Sequence, residues 1–149
     1  MSVGDTCNRA VVVVEHDAEV LEAARLMRRF HVGDLVVVEP RDGMRVPVGI
    51  LTDRDLVVEI LAEEVDPSAV SVRDFMTTDL LLAREDEELA DVIDRMRTRG
   101  VRRVPVVDGR GALVGILCAD DILELLAEEL GGLARLVNRE RYRETRERP

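Results

Sequence analysis

Val48-Gly49-Ile50-Leu51-Thr52-Asp53-Arg54-Asp55 is met a second time as Val114-Gly115-Ile116-Leu117-Cys118-Ala119-Asp120-Asp121. Working outward, the match continues in both directions. Val3-Gly4-Asp5-Thr6-Cys7 returns 69 positions later as Val72-Arg73-Asp74-Phe75-Met76. Asp17 and Glu19 return as Asp86 and Glu88, Met27-Arg28 as Met96-Arg97, and Val37-Val38 as Val106-Val107. The offset then falls by three, because the first copy has the longer turn, Pro40 to Pro47 against Gly109 to Ala112. Two copies of so long a period are not a solenoid, which stacks three or more short units. They imply two similar modules packed on each other, with two related sites.

Each copy reads as strand, helix, strand, strand, helix. In the first, the β-branched run Val11–Val14 is a buried strand. Asp17 is placed to cap a helix whose apolar stripe holds Val20, Ala24 and Met27, with Ala23 and Phe30 beside it. Strands follow at Leu35–Val38 and Val46–Leu51 around the turn Pro40–Gly43. A second helix starts at Thr52 and carries Leu56, Val57, Ile60 and Leu61 on one side. In the second copy the strands are Leu80–Ala83, Val104–Val107 and Leu113–Leu117. Its helices run from Asp86, with Leu89, Val92, Ile93 and Met96 in phase, and from Asp120 to Leu130, where Gly131-Gly132 ends the last one. A strand–helix–strand crossover makes the first two strands of each copy parallel, and a tight turn makes the last two antiparallel. The fold class is α+β (α/β-like), with boundaries at 1–65 for the first repeat, 66–70 for a linker, 71–131 for the second repeat and 132–149 for an arginine-rich tail. One copy of about 60 residues buries too little apolar surface to stand alone.

Composition removes several classes of function. The formal net charge is −10 and aromatic residues make up 2%. That balance speaks against a general nucleic-acid or membrane-surface binder, which needs a basic face, and offers few stacking surfaces. There is no lysine, so P-loop, Schiff-base and Ser-Lys chemistries are absent together. Both histidines, His16 and His31, fall in the first copy, so an acid–base dyad cannot be repeated in both modules. No enzyme activity is expected. Cys7 and Cys118 lack CxxC partners, no spacing draws His16, His31 and Cys7 onto a metal, and a cytoplasmic, reducing compartment is expected. Cys7 matches Met76 and reads as a packing residue. His16 reads as exposed, and His31 as a C-terminal partner for its helix dipole.

The doubled order of motifs carries a resemblance. Two β-α-β-β-α repeats, each opening V-x-D-x-[MC] and closing on a glycine, two aliphatics and a small polar residue three before an Asp, resemble a tandem cystathionine-β-synthase (CBS) domain pair, or Bateman module. Val101-Arg102-Arg103-Val104-Pro105-Val106-Val107-Asp108 also matches the family's second-strand entry. The resemblance covers about residues 3–130. It implies an adenosine ligand in clefts between the copies: AMP, ADP or ATP, in some members S-adenosylmethionine or NAD. It assigns ribose hydroxyls to Asp55 and Asp121, and a hydroxyl contact to Thr52 and Cys118. It also implies a homodimer formed by the helices beginning at Asp53 and Asp120.

The residue types suit that chemistry. A carboxylate accepts from both hydroxyls of a cis-diol, and Arg54 between Thr52 and Asp55 suits a phosphate. Adenine would lie between the aliphatic segments Val11–Val14 and Val104–Val106, beside Pro105. Thr52-Asp53-Arg54-Asp55 is equally a capping box that needs no ligand. The copies then diverge. The second has Cys118 for the hydroxyl and Asp120 where the first has Arg54, with Arg102 and Arg103 as compensating cations. One competent site at Thr52, Arg54 and Asp55 is therefore expected, and a weaker or empty one around Asp121. Cys118, near a helix start, is also a candidate redox-sensitive thiol. The tail, Arg135 through Arg148, is either a solvated helical extension or a docking segment. The leading reading is a regulatory module that reports energy state to an unknown effector protein through a change of conformation or dimer geometry. The competing one is a ligand-independent scaffold with the Asp residues acting only as caps.

Overall fold

The structure, a computed structural model, describes residues 1–147. By its internal packing the chain divides into residues 1–117 and a C-terminal unit beginning at Cys118. The first unit holds a short helix α1 (Val3–Thr6), β1 (Val13–Glu15), α2 (Val20–Phe30), β2 (Asp34–Arg41), β3 (Met44–Thr52) and α3 (Asp53–Asp55), which runs into a π-helical segment Leu56–Leu61. A 3-10 turn (Val72–Asp74), β4 (Ala83–Arg84), α4 (Leu89–Arg99), β5 (Arg103–Val107) and β6 (Leu113–Cys118) follow. The second unit is one helix, α5 (Ala119–Glu147).

Two three-stranded sheets form, ordered β1-β2-β3 and β4-β5-β6, as the repeat demands. β1 runs parallel to β2, with Val13 opposite Val36, and β2 runs antiparallel to β3 from Asp34–Thr52 to Arg41–Met44. Asp42 and Gly43 alone make that hairpin turn, at φ 51° and 76°. Pro40 is therefore a strand residue, opposite Arg45, rather than part of the turn. The register jumps between Val37–Gly49 and Val38–Pro47, leaving Val48 unopposed in a bulge beside a proline that has no N–H to give.

β2 is buried on both faces, which explains its unbroken aliphatic run. Leu35 and Val37 pack with Ala23, Met27 and Leu51 of the first copy. Val36 and Val38 pack instead with Leu113 and Ile116 of the second, so the two sheets face each other. Met27 and Met96 are both core.

The copies also exchange their opening segments. Val3 N–H donates to Glu87 C=O, Gly4 N–H to Glu85 C=O, and Leu89 N–H to Met1 C=O. Every one of these has its repeat image: Val72 N–H to Ala18 C=O, Arg73 N–H to His16 C=O, and Val20 N–H to Val70 C=O. Further along, Asn8 bonds Ile116 in both directions and Thr77 does the same with Ile50. Because residues 15–19 receive a crossing chain, α2 starts after Glu19 rather than at a cap on Asp17, and α4 after Glu88 rather than at Asp86. Neither Glu caps with its side chain. The Asp of V-x-D serves its own segment: Ser2 with Asp5 and Ser71 with Asp74 each close a cap.

Several boundaries differ from the pattern-based expectation. The first strands shrink to Val13–Glu15 and Ala83–Arg84, since only those residues reach a ladder partner. His31 is the left-handed C-cap of α2 at φ 53°, where the second copy has Gly100 at φ 66°. His16 is half-buried. The wider π winding splits the expected stripe, turning Ile60 inward and Val57 and Leu61 to solvent. Gly131-Gly132 does not end the last helix, which continues to Glu147. Strong helix formers on both sides outweigh a penalty of about 1 kcal/mol per glycine. Arg148, the last residue of the expected tail, lies outside the described residues.

The repeated third-strand glycine is required by space, not by backbone angle. A Cβ on Gly49 would lie 2.5 Å from Met76 Sδ, and one on Gly115 2.6 Å from Cys7 Sγ and 3.0 Å from Asn8 C=O. Each glycine thus admits the sulfur side chain of the segment crossing from the other copy, and burial pushes the Cys7 thiol above its ordinary pKa. Gly49→Ala and Gly115→Ala are each expected to cost about 1–3 kcal/mol in chemical denaturation, as overpacked sites do. Adding Met76→Ala to Gly49→Ala should recover part of the loss. A pair of losses that simply add would show that the two residues do not compete for space.

Candidate functional site

A cleft of about 280 Å³ opens between the two copies, lined by Ile50, Thr52, Thr77, Asp79, Leu80, Leu81, Val101, Arg102 and Arg103. Three elements build it. The end of β3 brings Ile50 and Thr52. The segment after the crossing residue Thr77 brings Asp79, Leu80 and Leu81, held there by the paired bonds between Thr77 and Ile50. The entry to β5 brings Val101, Arg102 and Arg103, released from α4 by the left-handed Gly100. The result is an aliphatic wall with two threonines, Thr52 and Thr77, and two guanidinium-bearing residues. Asp79, also on this wall, has its charge offset by Arg99 at 3.1 Å.

Thr52 and Asp55 form the complete capping box. Asp55 N–H donates to Thr52 Oγ1 at 3.2 Å, and Thr52 N–H to Asp55 Oδ2 at 2.9 Å. Arg54 is exposed beside them. The cap fixes Thr52 at the cleft and leaves one Asp55 oxygen outside it.

Beneath the arginines lies an ion pair. Arg103 Nε sits 2.9 Å from Asp34 Oδ1, with side-chain exposures of 36% and 18%. Asp34 and Arg103 occupy the same position in the two copies, 69 residues apart. Burial pushes the Asp34 carboxyl above its ordinary value, and the facing Arg103, though it pulls the other way, does not offset this; Asp53 adds to the rise.

The expected site residues thus part company. Thr52, Arg102 and Arg103 meet in one cleft, which places the two arginines beside the third-strand end of the first copy. Crossing of the chains is the cause, since the cleft draws its strand end from the first copy and its β5 entry from the second. Val104 and Pro105 are buried within β5, below the cleft wall. Val11 packs against Val36, Val38, Leu113 and Ile116. The equivalent of Val11 in the second copy is Leu80, which does line the cleft. Cys118 ends β6, half-buried, and Asp121 is exposed in the first turn of α5. Ile50, Thr77, Asp79, Leu80, Leu81 and Val101 line the cleft without having been singled out by the sequence, although carrying Val11 across the 69-residue offset finds Leu80.

Asp34→Asn tests the ion pair. Because the folded state raises this pKa, it holds the Asp34 proton more tightly than the unfolded chain does. The resulting stabilisation is full below the ordinary value of 3.8 and is lost as pH rises through the raised one. At pH 7 the variant should therefore be as stable as the parent or more so. Its advantage should shrink on acidification towards pH 4 in parallel thermal melts. A variant clearly less stable at pH 7 would show that attraction to Arg103 exceeds the cost of burial.

Among the described residues, no helix is long and apolar enough to cross a membrane. Comparison with known proteins gives a consistent answer. The CBS domain family matches residues 3–62 and 72–128. An uncharacterized protein of Methanopyrus kandleri is 34% identical over 125 residues, covering 84% of this chain, which spans 62% of that relative's length. A CBS domain-containing protein of Bacillus subtilis, YhcV, is 34% identical over 134 residues, covering 89% of this chain and 91% of its own. Among solved structures, a CBS domain pair in complex with 5′-methylthioadenosine and S-adenosyl-L-methionine aligns with a TM-score of 0.72 at 26% identity, covering 87% of this chain and 98% of that one. With two matched repeats over most of its length and the paired sheets of a Bateman module, this chain belongs to the CBS domain family.

Proposed function

We propose that the chain is a regulatory module that binds an adenosine-containing ligand, of the AMP, ADP or ATP class, in the cleft at Thr52. The observation that carries this reading is the convergence of Thr52 from one copy with Arg102 and Arg103 from the other on one aliphatic cleft. Ile50, Leu80, Leu81 and Val101 suit the adenine faces, the outer oxygen of Asp55 suits the ribose diol, and the arginines with Arg54 suit phosphate. The solved relative holding adenosine-containing ligands supports the class. The same positions in the other half of the repeat are Gly33 and Asp34 in place of Arg102 and Arg103, and Cys118 in place of Thr52. That exchange supports a single strong phosphate-binding site.

A ligand touching both copies favours one relative arrangement of them, and a partner protein or a dimer would register the shift. Val57, Val58 and Leu61, all exposed on the π-helical segment, support self-association through that face. A ligand-independent scaffold is the second reading. It is favoured by the completeness of the Thr52–Asp55 cap, which satisfies both residues without a ligand.

Thermal stabilisation by AMP, ADP, ATP, S-adenosylmethionine and NAD separates the two. At 100 times its dissociation constant a ligand adds about 2.7 kcal/mol. Asp55→Ala lowers the melting temperature by itself, since losing a cap costs about 1 kcal/mol. The readout is accordingly the ligand-induced shift, expected to vanish in Asp55→Ala and to fall in Arg102→Ala. No shift with any of these compounds at millimolar concentration would favour the scaffold.

A further inference from the structure

The C-terminal half of α5 sorts its charges by face. Arg135, Arg139, Arg143 and Arg146 follow one another at intervals of 4, 4 and 3 residues, the spacing of neighbours on one side of a helix. All four are exposed. At 3.6 residues per turn they face roughly opposite the apolar line of Leu126, Leu130, Leu133 and Val137. Glu140, Glu144 and Glu147 fall nearer that line than the arginines do. Four guanidinium groups therefore stand in a row about 17 Å long. Like charges at this spacing repel one another, and Arg143 Nε approaches Glu147 Oε2 only to 3.9 Å, beyond hydrogen-bond length. The row is a basic face on a chain whose formal net charge is −10.

The surroundings of the row say which anion fits it. Tyr142 lies beside it, with the Arg146 guanidinium 5.1 Å from the ring centroid. An open recess lined by Leu136, Arg139, Glu140 and Arg143 offers an apolar foothold. Upstream of Gly131-Gly132 the same face turns acidic, with Glu124 and Glu128 in line with the arginines. A nucleic-acid strand laid along the helix carries its charge past the end of the row and meets those carboxylates. An anionic membrane needs the arginines and the apolar line to act on one side, and they stand on opposite sides. A helix with carboxylates at the same 4-4-3 spacing matches the row residue for residue and ends where it ends. Its carboxylates are also the planar anions that a guanidinium fork binds through two bonds.

The geometry points to a docking face for an acidic helix of a partner protein on Arg135, Arg139, Arg143 and Arg146, with an apolar side chain of that helix in the recess at Leu136. This face is independent of the ligand cleft and needs no pairing of α5 with a second copy. The probe is a stapled, fluorescently labelled alanine-based helical peptide with four glutamates at the 4-4-3 spacing and one leucine beside them. Fluorescence anisotropy with the full chain at low salt is expected to give a dissociation constant on the order of 100 μM, weakening as salt is added. Arg139→Gln/Arg143→Gln should bind at least about 10-fold more weakly, with circular dichroism and melting temperature unchanged. A peptide of the same composition with its glutamates two residues apart, and so not on one face, should lose a similar factor.

No binding of the matched peptide at millimolar concentration overturns the proposal, as does equal binding of the peptide with misplaced glutamates. Tighter binding of a short DNA duplex or of phosphatidylserine vesicles to the same arginines overturns it too, and gives the face to another class of partner. So does a chain whose own sedimentation changes in Arg139→Gln/Arg143→Gln, which gives the face to a second copy.

Discussion

The exchange of opening segments, in which Val3 and Gly4 bond to the second copy while Val72 and Arg73 bond to the first, is the constraint on which the rest of this molecule depends. Each segment enters a groove beside the other copy's helix start, adds an edge to its third strand, and inserts a sulfur side chain over its glycine. Those contacts are mutual, so neither copy completes its sheet edge until both have folded. The stability of such an arrangement is that of one cooperative unit rather than the sum of two. It also fixes where the cleft opens, because the crossing chain at Thr77 leads directly into Asp79, Leu80 and Leu81.

Much of this was legible in the sequence because the repeat is a physical equivalence. Where one copy left an element ambiguous, the other constrained it, and the parallel–antiparallel order of the first sheet followed from connection lengths alone. What escaped had a common cause. Asp17 and Asp86 look like caps because the local pattern contains no sign that a distant chain will occupy those turns. Likewise the π winding after Asp55, which divides Val57 and Leu61 from Ile60, leaves no mark in a helical period. Helix α5 was cut at Gly131-Gly132 by a local rule that its neighbours override.

The candidate site was half legible. Thr52 and Asp55 were pointed to by the family resemblance, and Arg102 and Arg103 by the strand entry they precede; of these, Thr52, Arg102 and Arg103 line the cleft. Their grouping could not be read, since it follows from the crossing of chains and not from either copy. The same crossing explains why Val11 and Leu80, equivalent in the repeat, end in different surroundings. It also turns the divergence of the copies into a polarity, with both arginines delivered to the cleft that already has the hydroxyl.

The pairing of Asp34 with Arg103 carries a consequence of another kind. Equivalent positions of a repeat that meet near the axis between them would, in a symmetric assembly, present identical side chains to each other. Two first copies would bring carboxylate against carboxylate there, and two second copies guanidinium against guanidinium. Only the mixed pair is neutral, even if its burial adds little to stability. One difference of charge between equivalent positions thus distinguishes the mixed pairing of the two halves from either like pairing.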